Sequence, residues 1–224
     1  MDFSQIIPAL PGLWDGMLVT LQLMVLGVLG GVVLGTLLAL MRLSHSKLLS
    51  NIAATYVNYF RSIPLLLVIT WFYFAVPFIL RWITGEDTPV GAFSSCLVAF
   101  VMFEAAYFCE IVRAGIQAIP KGQMEAAQSI GMGWGLAMRR VVLPQALKIA
   151  LPPLLGQYMN VIKNSSLTMA IGVAELSYAS RQVETETLRT FQAFGVATVL
   201  YIAIIALLEG WGMWRQQRKP LGGH

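Results

Sequence analysis

Charged residues are scarce in this sequence. Aspartate, glutamate, lysine and arginine make up 12% of its 224 residues, about half their share in soluble globular proteins, whereas 57% of the residues are hydrophobic. This composition excludes an ordinary soluble domain and predicts a protein that crosses a membrane. At roughly 20 apolar residues per crossing, the chain has room for about five spans and for no sizeable soluble domain.

Cysteine and histidine are almost absent, with two residues of each. Cys96 and Cys109 fall 13 residues apart on one predicted helix, about 20 Å along its axis, which is too far for a disulfide bond. His45 is predicted in a loop and His224 at the C-terminus. Because neither has the partners of a zinc site or of an acid/base catalyst, we expect neither a metal site nor an enzyme.

A phosphate-binding loop is also missing. The GxxxxGK[ST] pattern is not found, and the dipeptide Gly-Lys does not occur, so the chain has no evident means of holding the phosphates of ATP. The net charge of +4 does not indicate nucleic-acid binding, because most basic residues fall in short gaps between apolar blocks, where they act as topology signals. We therefore expect no cofactor in this chain and no nucleic-acid partner.

Five apolar blocks predict an all-α, polytopic membrane protein. The expected spans are residues 18–41, 63–83, 93–116, 144–161 and 190–214. Residues 1–16 are expected to form an N-terminal segment at the outer interface, and residues 17–214 the transmembrane domain. Residues 215–224 are expected to form a cytoplasmic tail.

The basic residues predict the orientation. With the N-terminus outside and the C-terminus inside, 11 of the 15 lysines and arginines lie at or near the cytoplasmic face, and the opposite orientation places only four there. Arg215, Arg218 and Lys219 assign the C-terminus to the inside, because cytoplasmic ends of spans are enriched in basic residues. The loop of residues 117–140 is then cytoplasmic.

That loop contains an unusual polar insert, EAAQSIGMGWGLAMRRVVLP, at residues 125–144. Ala126 and Ala127 would let a helix lie close against a partner, and Glu125 could pair with a cation across the contact. Gly131 supplies a conformationally permissive joint, and Leu143 and Pro144 complete the pattern. A helix that merely lies on the membrane surface is the competing interpretation, but the full spacing favours a docking helix.

The third predicted span contains Glu104, Glu110 and Arg113 in an otherwise apolar helix. Charges at membrane depth rarely face lipid, and with Tyr107 these residues recur every three positions, so neighbours can meet along the helix. We predict a structural ion pair between Glu110 and Arg113, with a transport role for them as the alternative. Glu104 and Tyr107 are candidates for a substrate path.

A second candidate for the path follows the fourth predicted span, which we expect to be broken at Pro152 and Pro153. There the polar residues Lys163, Asn164, Ser165 and Ser166 interrupt the hydrophobicity. A polar gap between short apolar segments is typical of a discontinuous helix that lines a cavity. An ordinary outer turn with a short re-entrant helix is the alternative. Residues 175–189, of mixed charge, are predicted to lie outside.

The insert from Glu125 to Pro144 resembles the cytoplasmic EAA loop of ABC-importer permease subunits, in which a short helix docks into a cleft on a separate ATPase. From about Gly16 to Trp214 the chain is similar to polar amino acid permeases, and to the glutamate/aspartate branch in particular. The residues that carry this closer similarity are Arg61 to Leu65, Trp71 to Tyr73, Phe103 to Tyr107, Glu110, and Arg113 to Ile116.

The resemblance implies a type I ABC importer permease fold in the bacterial cytoplasmic (inner) membrane. It implies a second permease subunit, identical or homologous, a dimer of ATPase subunits that binds ATP and Mg²⁺, and an extracytoplasmic amino-acid-binding protein. The expected function is the import of polar amino acids by alternating access, with glutamate and aspartate favoured, and Lys163 would suit their two carboxylates. The alternative is a self-sufficient ion-coupled transporter or channel that uses Glu104 and Glu110.

Overall fold

The structure, a computed structural model, describes residues 4–86 and 90–217, and within these ranges there are helices and turns but no β-strand. The all-α prediction is therefore confirmed. A short 3₁₀-helix, Ile7–Ala9, leads into the first of the α-helices. They are α1 (Leu10–Arg42), α2 (Lys47–Ser62), α3 (Leu65–Thr84), α4 (Ala92–Gln117), α5 (Lys121–Ser129), α6 (Trp134–Ala137), α7 (Leu143–Ser165), α8 (Leu176–Thr187) and α9 (Thr190–Gln217).

Four of the described segments are long and apolar enough to cross a membrane. They are Ile7–Arg42, Leu65–Thr84, Ala92–Gln117 and Thr190–Gly212, and they coincide with four of the five predicted spans. The remaining predicted span, residues 144–161, lies within α7, a helix of 23 residues that is less apolar than the other four.

Prolines mark several helix boundaries. Pro64 forces the preceding Ile63 into an extended conformation (φ −110°, ψ 140°), because a residue before proline is excluded from the helical region, and α2 ends there. Pro120 directly precedes α5, and Pro8 and Pro11 lie at the beginning of the first helix. At the start of a helix the missing N–H of proline removes no hydrogen bond.

Two predicted boundaries differ from the structure. α1 begins at Leu10, so residues 10–16 continue the helix of the first span. The predicted break at Pro152 and Pro153 is wrong, since α7 runs through both prolines to Ser165. The two prolines leave the carbonyls of Lys148 and Ile149 without a helical donor, and both of these residues are exposed.

Residues 28–64 and 100–157 form one compact unit, called the loop unit below. In it α1 crosses α4 closely, through Gly30, Gly31 and Gly35. A Cβ on Gly35 would stand 2.8 Å from the carbonyl oxygen of Ala105 and 3.0 Å from the backbone nitrogen of Cys109. The crossing therefore requires glycine, because only small residues let two helix backbones approach this closely.

Residues 4–27, 65–86, 90–99 and 158–217 belong to a second compact unit, called the terminal unit below. Its core joins the beginning of α1 to α8 and α9, through a cluster of eight buried residues: Ile6, Leu13, Met17, Leu176, Ala179, Val183, Ala193 and Ala197. The mixed charge of residues 175–189 predicts only that they lie outside, so the helix α8 is not expected from the sequence.

Some predictions fall outside the described residues. They concern the first three residues of the N-terminal segment, Arg218 and Lys219 of the C-terminal tail, and His224. The other histidine, His45, is exposed between α1 and α2.

Candidate functional site

The polar insert forms a compact loop held by apolar contacts of its own. Buried Ile119, Val142 and Ala146 pack together, and Ile116, Met124 and Met138 pack against them. The cluster thereby joins the end of α4, the helix α5 and the beginning of α7. Gln145 also donates to Gln123 across the loop, with 3.3 Å between Nε2 and Oε1. α5 is thus fixed to two longer helices of the same unit.

Gly131 ends α5 in a left-handed backbone conformation, with φ of +88°. The N–H of Gly131 donates to the carbonyl of Gln128 (2.9 Å), and the N–H of Met132 donates to the carbonyl of Ala127 (3.1 Å). This pair of hydrogen bonds is the Schellman pattern, which satisfies the last carbonyls of a helix and favours glycine at the left-handed position. The permissive joint that the sequence predicts is the turn that terminates α5.

Pro144 is the second residue of α7, and α7 directly follows a π-helical turn, Met138–Val142. Proline has no N–H for the carbonyl four residues before it, and its ring crowds that carbonyl. The wider π turn, in which the N–H of Leu143 donates to the carbonyl of Met138, accommodates both effects. Leu143 is half-buried and Pro144 exposed, so these two residues shape the exit of the loop.

The outer side of the loop presents apolar residues. Ile130 is 76% exposed and Trp134 59% exposed, and Leu136 is exposed as well. Beside them Glu125 and Ala126 are exposed on α5. These five residues are called the loop surface below. Exposed apolar patches with a polar rim are typical of sites that contact another protein or a membrane.

The prediction that both alanines of the motif contact a partner needs correction. Ala126 is exposed, but Ala127 is only 5% exposed, because it lies on the face of α5 that is directed into the loop. The small side chain at Ala127 therefore allows α5 to pack closely within its own subunit. Only Glu125 and Ala126 of the three motif residues are available on the outer face.

Glu110 and Arg113 are paired in the structure. Arg113 donates through Nε to both carboxylate oxygens of Glu110, at 3.1 Å each, and through a second nitrogen to one of them. Arg42, the last residue of α1, places its Nη1 3.5 Å from the same carboxylate. Arg113 also donates to Gln117, one turn further along α4. The pair thus connects the ends of α1 and α4.

Glu104 is fully buried in the loop unit. Its Oε2 accepts a hydrogen bond from Nε2 of Gln157 at 2.7 Å, and its Oε1 has no hydrogen-bond partner among the described residues. A buried carboxylate oxygen without a partner is costly and therefore calls for an explanation. Gln157, which nothing in the sequence pattern marks out, is the missed member of this pair. Tyr107, one turn along α4, lies under the guanidinium group of Arg61.

Residues 163–166 do not separate two half-helices, so the prediction of a discontinuous helix at this point is wrong. Lys163, Asn164 and Ser165 are the last turn of α7, and Ser166 begins a 3₁₀-helix, Ser166–Ile171. The hydroxyls of Ser165 and Ser166 donate to the carbonyls of Ile162 and Lys163, so they satisfy the backbone. The side chain of Lys163 is exposed. These four residues belong to the terminal unit, whereas Glu104 and Tyr107 belong to the loop unit.

Glu175 is a buried carboxylate that the sequence did not reveal. It caps α8 by accepting from the backbone N–H of Tyr178 (2.8 Å), and it also accepts from the hydroxyl of Tyr201 on α9 (2.7 Å). Burial raises the pKa of Glu175, and the hydrogen bonds that it accepts oppose that rise. Glu175 thereby joins α8 to α9.

Among the residues that the structure describes, no three histidine, cysteine, aspartate or glutamate side chains lie together as a metal site would require. Cys96 and Cys109 are both buried and unpaired on α4.

Comparison with known proteins gives a consistent result. The family described as "Binding-protein-dependent transport system inner membrane component" matches residues 31–217. The glutamate/aspartate import permease protein GltK of Escherichia coli O6:H1 is 43% identical over 175 residues, which are 78% of each chain. The probable glutamine ABC transporter permease protein GlnM of Bacillus subtilis is 36% identical over 190 residues, 85% of each chain.

A solved structure shows the same fold. The crystal structure of an amino acid ABC transporter with histidines superimposes with a TM-score of 0.88 at 32% sequence identity, over 98% of this chain and 99% of the other. The predicted permease fold is therefore confirmed.

Proposed function

Since the chain belongs to the family of inner membrane components of binding-protein-dependent transport systems and is an amino acid ABC importer permease subunit, we propose that its loop surface docks onto a separate ATPase. In this proposal Glu125 and Ala126 form the contact, Ala127 and Gly131 shape α5, and Leu143 and Pro144 shape the return to α7. The loop is then cytoplasmic, with the N-terminus outside and the C-terminus inside the cytoplasmic membrane.

The observation that carries this proposal is the two-sided character of the loop. One side of it, with Met124 and Ala127, packs into the subunit, and the other side leaves Ile130 and Trp134 exposed beside the carboxylate of Glu125. A helix that only lay on the membrane surface would also expose Ile130 and Trp134, and the substitution of Glu125 described below separates the two interpretations. A partner that covers them would bury their apolar surface and pair with Glu125.

The same packing would transmit a displacement of α5 to α4 and α7. Ile116 and Ile119 belong to the end of α4 and the turn after it, Met124 to α5, and Ala146 to α7, and all of them pack in one apolar cluster. Because packed interiors deform little, a displacement of α5 moves the ends of α4 and α7 with it. ATP and Mg²⁺ would be bound by a dimer of the ATPase, whose closure moves α5 and switches the path from inward-facing to outward-facing.

The remaining partners follow from the family. We propose a second permease subunit, identical or homologous, and an extracytoplasmic amino-acid-binding protein that delivers the substrate. Of the two glutamates that a self-sufficient ion-coupled transporter would use, Glu110 is engaged by Arg113 and Arg42 and is not free to carry an ion. Only Glu104 would remain for that role.

For the substrate, we propose glutamate and aspartate, and the support is the similarity to the glutamate/aspartate permease. The glutamine permease is also similar, so the choice depends on a small difference in identity. Glu104 and Tyr107 of the loop unit and residues 163–166 of the terminal unit are proposed to belong to the substrate path. The buried Oε1 of Glu104, which has no partner among the described residues, would suit the ammonium group of an amino acid.

The docking proposal is tested by a charge reversal on the loop surface. Glu125→Lys is expected to abolish ATP-driven uptake and the co-purification of the ATPase, because it places a cation where the partner presents one, while membrane insertion stays normal. Glu186→Lys makes the same change at an exposed position of α8 and is the matched control. Normal uptake and co-purification by Glu125→Lys would show that the loop surface is not the docking site.

The substrate proposal has a separate test. Lys163→Ala is expected to raise the KM for glutamate and aspartate uptake more than that for glutamine, because only the first two carry a second carboxylate for the lysine. Co-purification of the ATPase should not change. An equal loss of uptake for all three amino acids would assign Lys163 a role in folding instead.

A further inference from the structure

The two glutamates in the span Ala92–Gln117 have partners of different kinds. Glu110 contacts two guanidinium groups, those of Arg113 and Arg42, so the subunit itself supplies its counter-charge. Glu104 is fully buried and accepts a hydrogen bond from Gln157, and no other described residue donates to it. Ionisable groups at membrane depth are normally paired. The amide of Gln157 holds the carboxyl group of Glu104 without supplying a charge.

Helix α1 encloses Glu104 on another side. A Cβ added to Gly31 would stand 3.0 Å from the Cβ of Glu104 and 3.0 Å from the ring of Phe108. The backbone of α1 therefore lies directly against α4 at this point, and glycine provides no polar side chain there. Gln157, on α7, is thus the residue that determines how the carboxyl group is held.

The hydrogen bond from Gln157 also determines which oxygen of Glu104 stays free. Nε2 of Gln157 donates to Oε2 at 2.7 Å, and Oε1 has no partner among the described residues. The terminal torsion of a glutamate is broad and roughly two-fold, so the carboxyl group would turn more freely without this bond. Gln157 is itself only 9% exposed, and a packed interior keeps its amide in place.

We propose that Gln157 is a positioning residue that makes Glu104 selective for the ammonium group of an amino acid. It fixes the carboxyl group through Oε2 and, being neutral, leaves the counter-charge to be supplied by the substrate. This inference rests on the proposed role of Glu104 in the substrate path, and it adds a second residue, from another helix, to the recognition of the amino group. Because Oε1 is enclosed in this structure, the amino acid reaches it when the path opens.

The test measures selectivity for the amino group. The purified complex of permease and ATPase subunits binds labelled glutamate in detergent, without the binding protein, and unlabelled glutamate or glutarate competes. Glutarate has the same two carboxylates but no amino group. We expect the wild type to prefer glutamate. Gln157→Met, which removes the donor at nearly the same length, should reduce that preference about tenfold, as expected for one lost hydrogen bond to a charged group.

A second pair of ligands makes the result independent of which amino acid is carried. Labelled glutamine competes with unlabelled glutamine or with glutaramate, the analogue of glutamine that lacks the amino group. The same loss of preference is expected for Gln157→Met with whichever pair the wild type binds.

Gln157→Lys distinguishes positioning from a purely structural contact. The lysine keeps a donor between α7 and α4 but supplies the counter-charge of Glu104, so the preference for the amino group should be lost. Wild-type preference in Gln157→Lys would mean that the contact only joins the two helices, and it would overturn the proposal. Gln182→Met makes the first change at an exposed position of α8 and, as the control, should match the wild type.

A double-mutant cycle tests whether Gln157 acts through Glu104. Glu104→Gln should reduce the preference at least as much as Gln157→Met, and the double variant should reduce it no further. Wild-type preference in Gln157→Met, with a loss in Glu104→Gln, would overturn the role of Gln157 alone. Wild-type preference in Glu104→Gln would overturn the proposed role of Glu104 and this inference with it.

Discussion

Gly131 is the residue on which the shape of the loop depends most directly. A Cβ at this position would have nothing within 4 Å, so Gly131→Ala tests the backbone conformation alone. A left-handed residue other than glycine costs about 1–2 kcal/mol. We expect the cost to unwind the end of α5 and to reduce ATP-driven uptake several-fold, with faster amide exchange at Met132.

Gly122 provides the control for that change. It lies within α5, it also has nothing within 4 Å of its Cβ position, and its φ is not positive. Gly122→Ala should therefore stabilise α5, by up to about 1 kcal/mol. Uptake by Gly131→Ala at the wild-type rate would mean that the turn at the end of α5 is not needed for coupling.

At the same scale, the sequence was a good guide to residues whose role is local. Glu110 and Arg113 are three positions apart on one helix, so their pairing follows from helix geometry. Glu175 is different, because Tyr201 and the hydroxyl of Thr20 that accepts from the N–H of Leu176 come from distant parts of the chain. Burial of a carboxylate by such partners leaves no local pattern.

Among the elements, the crossing of α1 over α4 is the contact most sensitive to one added carbon. Gly35→Ala places a Cβ against backbone atoms of Ala105 and Cys109, which cannot move aside without separating the helices. Overpacking of this kind costs about 1–3 kcal/mol. We expect a lower melting temperature for the purified chain in detergent.

Gly12→Ala, on the same helix, meets nothing within 4 Å, and its melting temperature should equal or exceed that of the wild type. A melting temperature for Gly35→Ala that matches Gly12→Ala would indicate that α1 and α4 do not approach as closely as described.

Apolar runs predicted the long helices well, because hydrophobic length is the dominant signal for a span. They failed where the signal was weak. α8 is short and polar, and only the spacing of Leu176, Ala179 and Val183 reveals its buried face. Pro152 and Pro153 looked like a break in α7, but the carbonyls that they leave free belong to exposed residues.

For the whole molecule, the central claim is that this chain forms the path for the substrate and that a separate ATPase subunit supplies the energy. No nucleotide-binding loop occurs in the sequence, and the loop surface is where we propose that the partner binds. The fold could be predicted because its motif is local and specific. The substrate could not, because Glu104 and residues 163–166 belong to different units and no local spacing relates them.

The most direct measurement is uptake of labelled glutamate into proteoliposomes that contain either the chain alone or the chain with its ATPase and binding protein. We predict uptake only in the complete vesicles, only with Mg²⁺ and ATP on the side of the loop surface, and none in vesicles of the chain alone under a proton or sodium gradient. Gradient-driven uptake by the chain alone would contradict the account.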